Sequence, residues 1–330
     1  MTNIITEKIW DIKVQPGQRR ERIDKYLANC VENASRNRIQ QLIEANCITV
    51  NGNIIDKNYK VCPNDQIIIK IPVTPHPENP EPENIPIKIV YEDEYLAIVD
   101  KPAGMVVHPA FGNYTGTLVN ALLYHLNDVE NDEFYDKTRP GIVHRIDKDT
   151  SGLLLIAKDQ GTHHKLAIQF AQHTIEREYW AIAWGIFKEK KGTIIRNITR
   201  SKKDRKVFTV TDNPNEGKHA ITHYEIMEEF EFLSLVKLKL ETGRTHQIRV
   251  HLNSINHPIF GDETYGGRKI VYGSNFPKIK SRVDNLLEIM KRQALHAKTL
   301  GFIHPATEKF IKFDSELPED FKTILELVRK

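Results

Sequence analysis

The chain has 330 residues, 40% of them apolar and 28% charged, a length that allows about two domains and at least one sizeable core. Its 47 Lys+Arg stand against 44 Asp+Glu, and the resulting +3 excludes a protein held to nucleic acid by bulk charge while leaving room for local basic patches. No window approaches the roughly 18 consecutive apolar residues of a membrane-spanning helix.

The opening Met1–Lys8 lacks a basic start followed by an apolar run, so no secretory signal is expected. Ile23, Tyr26, Leu27 and Cys30 recur at helical spacing. Ser35 is a good N-cap for a second helix with the stripe Ile39, Leu42 and Ile43. Ile48–Ile55 then reads as a hairpin, because Asn51-Gly52 tolerates φ > 0 between apolar alternations. A last strand is expected at Gln66–Lys70, so this part reads as α followed by β. Cys30, Cys47 and Cys62 form no C-x-x-C pair, which supports neither a disulfide framework nor a zinc knuckle and implies a reducing cytoplasm.

Arg19, Arg20, Arg22, Lys25, Arg36 and Arg38 crowd the starts of these two helices. Cations there oppose the helix dipole, which fits poorly with stability alone and well with bound phosphate. A solvated basic face is the plain alternative. The unit, about residues 19–71, resembles the small RNA-binding domain named after ribosomal protein S-four through Arg22–Leu27, Ser35-Arg36 and Val50-Asn51-Gly52. The usual Gly-Asp before the last strand is Asn64-Asp65 here. The resemblance implies RNA binding by residues 1–71, with Arg22, Lys25, Ser35, Arg36 and Arg38 as contacts.

Residues 72–86 hold six prolines and three glutamates, with no Lys or Arg. Proline fixes φ and removes a donor, so this stretch is expected to be an extended linker that pairs in no sheet. Residues 87–330 then form a second domain. Strands are expected at 87–90, 96–99, 153–157, 179–183 and 235–240, and helices at 117–126, 162–173 and 281–291. They do not alternate in a βαβ rhythm, so the expected class is α+β with a mixed, largely antiparallel sheet.

The familiar phosphate-loop, dinucleotide, zinc-protease and nucleophile-elbow motifs are all missing. His144, His246, His251, His257 and His296 match no metal-ligand spacing, and no metal is expected. Three segments stand out. In 141–156 a charged loop runs straight into an apolar strand, and Arg145 and Lys148 flank Asp147, favouring an ionised acceptor or nucleophile. An ordinary turn-capping aspartate is the alternative there. In 241–252, Arg244, His246, Gln247, Arg249 and His251 crowd together. As a strand, Gln247, Arg249 and His251 would share a face; as a helix, Thr245, Ile248 and Leu252 would form the stripe. Either arrangement sets a polar face beside the core, with arginine forks suited to carboxylate or phosphate. In 199–206 five of eight residues are basic, including Lys202, Lys203 and Arg205. A loop or hairpin tip of that kind would track a phosphate backbone.

His144-Arg145-Ile146-Asp147 with Thr150–Leu154 resembles the active-site motif of RNA pseudouridine synthases of the RluA type, with Ile146 where Leu is commoner. Asp100–Pro109, the Gly217–Tyr224 stretch, Gly243–His251 and Arg292–Ala297 through to Pro305 fit the same family in the expected order. An S-four-like front domain is the arrangement of its RluD-like branch. The resemblance implies isomerisation of uridine to pseudouridine in folded RNA, without cofactor. It makes Asp147 the essential carboxylate, Arg249 its partner and Tyr179 the residue stacked on the target base. It places Arg145 in the RNA as the base flips out and Leu295 in the pocket wall, and His144, Arg244 and Gln247 join them as substrate contacts. Whether Asp147 attacks sugar or ring, or removes a sugar proton, stays open. The implied partner is large-subunit ribosomal RNA, read at a hairpin loop by a monomer. A catalytically silent RNA-binding module and a metal-dependent RNA hydrolase are the competing readings.

Overall fold

The computed structural model describes residues 6–31, 36–73, 80–110, 112–126, 141–204, 207–273 and 277–329. The chain separates into two compact units, 1–78 and 79–330.

The first unit runs β1 (Thr6–Lys13), α1 (Ile23–Cys30), α2 (Arg36–Glu44), β2 (Ile48–Val50), β3 (Asn53–Ile54) and β4 (Gln66–Val73). Both helices supply apolar faces, Ile23 and Leu27 from α1 and Ile39 and Ile43 from α2, to a core closed by Ile48, Ile67 and Ile69 of the sheet. Cys30, the expected end of the α1 stripe, is exposed instead. Asn51 and Gly52 take φ of 50° and 81°, the left-handed pair that a two-residue hairpin needs. Asn64 sits at φ 69° and so does a glycine's work before the last strand.

Two features correct the sequence reading. The unit opens with a strand, not a helix: β1 pairs with β4 along its whole length, giving the sheet order β1-β4-β2-β3. Its signal was the period-two set Trp10, Ile12 and Val14, which faces the core. The proline-rich stretch also does pair at its start. Pro72 lies within β4 opposite Glu7, past Ile69, where β4 has lost its β2 neighbour and a missing donor matters less. At the other end, residues 81–85 already belong to the second unit and bond to its residues 116–120. Glu83 N–H donates to Asn120 O, its carboxylate accepts from Gly116 N–H, and Glu81 O accepts from the Asn120 amide.

The second unit runs β5 (Lys88–Glu92), β6 (Leu96–Lys101), α3 (Leu118–His125), β7 (Ser151–Ala157), α4 (Gln160–Ala171), β8 (Glu176–Trp184), β9 (Lys191–Arg200), β10 (Phe208–Thr211), β11 (Lys218–Glu229), β12 (Leu233–Leu240), α5 (Gln247–Ser254), α6 (Pro277–Ile289), β13 (Leu295–Ile303), β14 (Phe310–Asp314) and α7 (Glu319–Arg329). Its sheet has ten strands in the order β10-β9-β11-β12-β8-β13-β7-β6-β5, with β14 on β13. Every pairing is antiparallel except β13 with β7. The class is α+β, as expected from the irregular strand–helix rhythm. The strand alternative for 241–252 is overturned, because Gln247–Ser254 is helical. That helix is buried nearly all round, so no single stripe could have marked it. Helix α7 was not foreseen, although Phe321, Ile324, Leu325 and Val328 carry its helical period into the core.

Strand β7 is buried along its whole length. Its neighbour β13 approaches so closely that a Cβ on Gly152 would stand 2.3 Å from Ala297 O, and Gly152 adopts φ 113°. Only glycine permits this parallel contact. One residue away, His296 Nδ1 and Ser151 Oγ are 2.9 Å apart.

Burial pulls the His296 pKa down to about 4 from its ordinary 6.5. The folded chain therefore declines a proton that the unfolded chain accepts, and this group's contribution to stability falls as pH drops from 6.5 towards 4. Between pH 7 and pH 5 the loss amounts to about 2 kcal/mol. Urea unfolding of the His296→Gln variant at those two pH values is expected to show that much less pH dependence than wild type.

Candidate active site

The 141–150 loop is anchored at both ends. Gly141 O accepts from Ala157 N–H and Thr150 N–H donates to Asp147 O, closing a turn just before β7. Lys101, fully buried at the end of β6, donates to the carbonyls of Pro102, Met105 and Lys148 at 2.7–2.9 Å. Burial pulls its pKa down to about 7, against the attraction of Asp149. Three acceptors call for all three hydrogens of the ammonium form. Arg292 adds a second clamp: its Nη1 donates to Asp149 O and Leu295 O, while Nε and Nη2 hold Asp320 in the first turn of α7.

This loop delivers Asp147 into a cavity of about 520 Å³, within the usual size of a small-molecule site. The opposite wall comes from α5. His246, its N-cap, stands at φ 55°, a left-handed conformation that non-glycine residues enter at a cost and that is typical of functional sites. Arg249 follows three residues later, buried to 7% exposure. Its Nη1 donates to Asp147 Oδ2 at 3.0 Å, while Nε and Nη2 form a fork on Asp262 at 2.7 and 2.9 Å. Burial would discharge a guanidinium, but the hydrogen bonds it donates to Asp262 overcome this and hold the pKa of Arg249 above its ordinary value. Tyr265 closes the group. Arg249 Cζ lies 4.9 Å from its ring centroid, and its hydroxyl meets His246 Nδ1 at 2.8 Å. His246 Nε2 is 3.9 Å from Asp147 Oδ2, and burial lowers the His246 pKa despite the charge of Asp147. Asp147 thus has one oxygen anchored, while Oδ1 has no hydrogen-bond partner among the described residues.

Tyr179, on β8, lines the same cavity, and burial raises its hydroxyl pKa. Leu295, at the start of β13, supplies apolar wall, and Arg145 stands exposed at the rim. Asp147, Tyr179, Arg249, Arg145, His144, Leu295, Arg244 and Gln247 are all brought to this one cavity.

For two of these the free polar group expected from the sequence is already spent. Gln247 is 3% exposed, with Oε1 accepting from Thr242 Oγ1 and Arg244 N–H and Nε2 donating to Ile221 O and Thr222 Oγ1. Its amide is saturated and braces the loop before α5. His144 Nε2 accepts from Leu155 N–H at 2.9 Å, and burial pulls the ring's pKa to about 3, so it remains a neutral wall against Phe170. Arg244 stays exposed, with Nε donating to His219 O.

The sequence reading missed Asp262, Tyr265 and Arg177. Arg177 stands two residues before Tyr179 on β8 and lines the cavity. For Asp262 the signal was one acidic residue after Gly261, too common a pattern to single out. Among the described residues no three His, Cys, Asp or Glu side chains come together as a metal-ligand group, and no helix is long and apolar enough to cross a membrane.

The basic residues of the first unit have a partner that was also missed. Asp24, fully buried, accepts from Arg22 Nε at 3.1 Å, Arg36 Nη2 at 3.0 Å and Gln40 Nε2 at 2.6 Å. Burial alone would raise its pKa, but these donors hold it well below the usual carboxylate range. Arg22 and Arg36 thus have a structural job while keeping 40% and 56% of their side chains exposed. Lys25 meets Glu21 at 3.3 Å. Ser35, Arg205 and the side chain of Arg38 lie outside the described residues. Lys202 and Lys203 are exposed between the paired strands β9 and β10, and Lys202 is 3.4 Å from Glu216.

Asp262→Ala would leave Arg249 buried with one carboxylate instead of two. Breaking a buried ion pair on one side costs about 3–5 kcal/mol. Denaturant unfolding is expected to report a loss of that order, and Asp262→Asn a smaller one.

A family profile described as RNA pseudouridylate synthase matches residues 95–254, and a second, the S4 domain, matches residues 21–67. An uncharacterized RNA pseudouridine synthase of Chlorobaculum parvum is 50% identical, over 93% of this chain and 94% of its own. The ribosomal large subunit pseudouridine synthase D of Zymomonas mobilis is 42% identical, over 93% of each chain. The solved structure of human RNA pseudouridylate synthase domain containing 4 shares the fold, with a TM-score of 0.57 at 23% identity over 73% of this chain and 92% of that one. With half its residues shared along nearly the full length of such a relative, and with an S4 domain ahead of the mixed sheet, this chain belongs to the RNA pseudouridine synthases, isomerases that convert uridine in RNA to pseudouridine.

Proposed function

We propose that this enzyme isomerises uridines of large-subunit ribosomal RNA and that Asp147 is its reacting carboxylate. The observation that carries the residue assignment is the divided state of that carboxylate, Oδ2 fixed by Arg249 and Oδ1 without a partner among the described residues, in a cavity that Tyr179 also lines. A nucleophile needs a fixed position and a free lone pair, and covalent attack by Asp splits one difficult step into two. Arg249 keeps the carboxylate ionised and oriented. Tyr179 offers its ring to the base and its hydroxyl for proton transfer. The large-subunit substrate is supported by the name of the Zymomonas relative and by the S4 match.

Arg145, exposed at the rim, takes the space vacated as the uridine leaves its stack, a step costing a few kcal/mol. A hairpin loop lowers that cost, since its bases are already partly unstacked. The front domain, residues 1–71, and the basic 199–206 tip supply most of the affinity, which is salt-dependent and largely blind to sequence. Residues 72–86 join it to the catalytic domain, 87–330. The three free cysteines suit a reducing cytoplasm, and the enzyme acts there as a monomer without cofactor.

Asp147→Asn is expected to fold and to bind RNA, yet to release no tritium from transcripts carrying [5-³H]uridine, because reattachment through that carbon expels its hydrogen. Mapping pseudouridines in large-subunit rRNA from cells with wild-type, Asp147→Asn or no enzyme gives the same answer in vivo. Wild-type modification by the variant would remove Asp147 from the chemistry, and an unchanged map in cells lacking the enzyme would remove large-subunit rRNA.

Deleting residues 1–78 is expected to leave a cooperatively folding catalytic domain whose RNA affinity is lower and whose binding varies less steeply with salt. Aggregation of the shortened chain would place the boundary elsewhere.

A further inference from the structure

Arg177 and Tyr179 are two residues apart on β8, so both leave the same face of the strand and enter the same cavity. The fold holds the Arg177 guanidinium in place. Cζ lies 5.4 Å from the ring centroid of Phe170. Nη1 fills the space beside Gly243, where a Cβ would stand 2.9 Å away. Gly243 does not have positive φ, so its missing side chain serves this close approach rather than a turn.

What the fold does not supply is an acceptor. Arg177 Nε is buried with no hydrogen-bond partner, and no carboxylate among the described residues pairs with the guanidinium. The acids beside it on β8 are engaged elsewhere, Glu176 with Lys312 and Glu178 with Trp180 Nε1, and Glu241 meets His223. The other inner arginine of the cavity, Arg249, is satisfied by two carboxylates. Burying a donor without a partner is unfavourable, more so for a charged group, and a ligand can relieve that cost.

We propose that Arg177 is a phosphate-binding residue, seating one of the two phosphodiesters that flank the uridine in the cavity. The inference rests on the reading that this cavity receives an everted uridine. Rotating a nucleotide out of its stack swings its backbone to the mouth of the pocket and brings both phosphodiesters with it. An edge of the guanidinium fork offers parallel N–H groups that match two phosphate oxygens. A uracil carbonyl would satisfy one of them and leave the other bare. The contact carries no sequence information, so it serves any uridine the rest of the enzyme selects.

The test uses synthetic hairpins built around a uridine that goes unmodified in cells lacking the enzyme. One has an ordinary backbone, and two carry an uncharged methylphosphonate in place of the 5′ or the 3′ phosphodiester. For wild type, one of the two neutral linkages is expected to raise KM about tenfold or more, the size of a lost charge-assisted hydrogen bond. Arg177→Gln should show the same rise on the ordinary hairpin, no further rise on the neutral one, and a salt slope of RNA binding smaller by about one. Arg177→Lys, which keeps the charge and loses the fork, should recover part of the affinity. Gly243→Ala, which displaces the guanidinium without removing it, should behave as Arg177→Gln does and covers the case in which Arg177→Gln fails to fold. The proposal is overturned if the neutral linkage and the arginine variants act independently, so that their losses multiply, or if Arg177→Gln lowers kcat with KM and salt slope unchanged. A wild-type enzyme that releases no tritium from the ordinary hairpin would overturn the parent reading instead.

Discussion

The fully buried carboxylate of Asp262 is what allows Arg249 to stand where it does. A guanidinium out of water needs its hydrogen bonds filled, and Asp262 takes two of them in a fork that fixes the plane of the group. The planar geometry then dictates where the remaining Nη1 donor points, and Asp147 lies there. Asp147 itself sits on a loop, which by its own means would hold a side chain less firmly than a strand or helix would. Its position is set from α5 by way of Asp262, and from below by Lys101 gripping the carbonyl of the next residue, Lys148. From Asp262 through Arg249 to Asp147 the site is therefore built from the back, and the pairing loosens towards the cavity until one carboxylate oxygen has no partner among the described residues.

Backbone conformation enforces the same order. The loop can end in the middle of the sheet only because β7 lies parallel against β13, and that contact requires Gly152. On the facing wall, His246 accepts a left-handed backbone at the N-cap of α5, so that Arg249 and Gln247 turn inward on the first turn of a short helix. Gln247 then uses its whole amide to hold this entry in place. His246 lies 3.9 Å from Asp147, where unfavourable local geometry is tolerated because the surrounding structure overdetermines it.

The pattern of residues predicted this architecture unevenly, and the reasons are physical. Local signals were legible: the Asn51-Gly52 hairpin, the stripes of α1 and α2, and the apolar run of β7 each need only a few neighbouring residues to declare themselves. Strands β9, β10, β11, β13 and β14 were not read: the half-exposed ones have little apolar contrast between their faces, and β13, buried nearly throughout, has no period-two alternation to mark it. Helix α5 was ambiguous since burial on all sides erases the period by which a surface helix is recognised. At the site, the segments carrying Asp147 and Arg249 were conspicuous for their density of charge. Their supports were not. Asp262 lies 13 residues beyond Arg249 and Asp24 lies 12 residues before Arg36, and nothing local says that either acid is buried. The free amide expected of Gln247 fails for the same reason: whether a polar side chain is spent on the fold or kept for a ligand depends on partners that only tertiary structure assembles.

That distinction also changes what the charge count means. A net charge of +3 treats every Arg and Lys alike, yet the fold sorts them into two populations. Arg249 leans on Asp262 and Arg292 on Asp320, each matched to an acid and so nearly invisible at a distance, while Arg22 and Arg36 share the single carboxylate of Asp24. Arg145 at the cavity rim and Arg177 inside it have no carboxylate paired with them among the described residues. A polyanion meets such unmatched cations at full strength, since counterion release depends on phosphates neutralised and not on basic residues present. A chain close to electroneutral can in this way concentrate positive potential where one nucleotide must leave its stack, without the indiscriminate affinity that a larger net charge would bring.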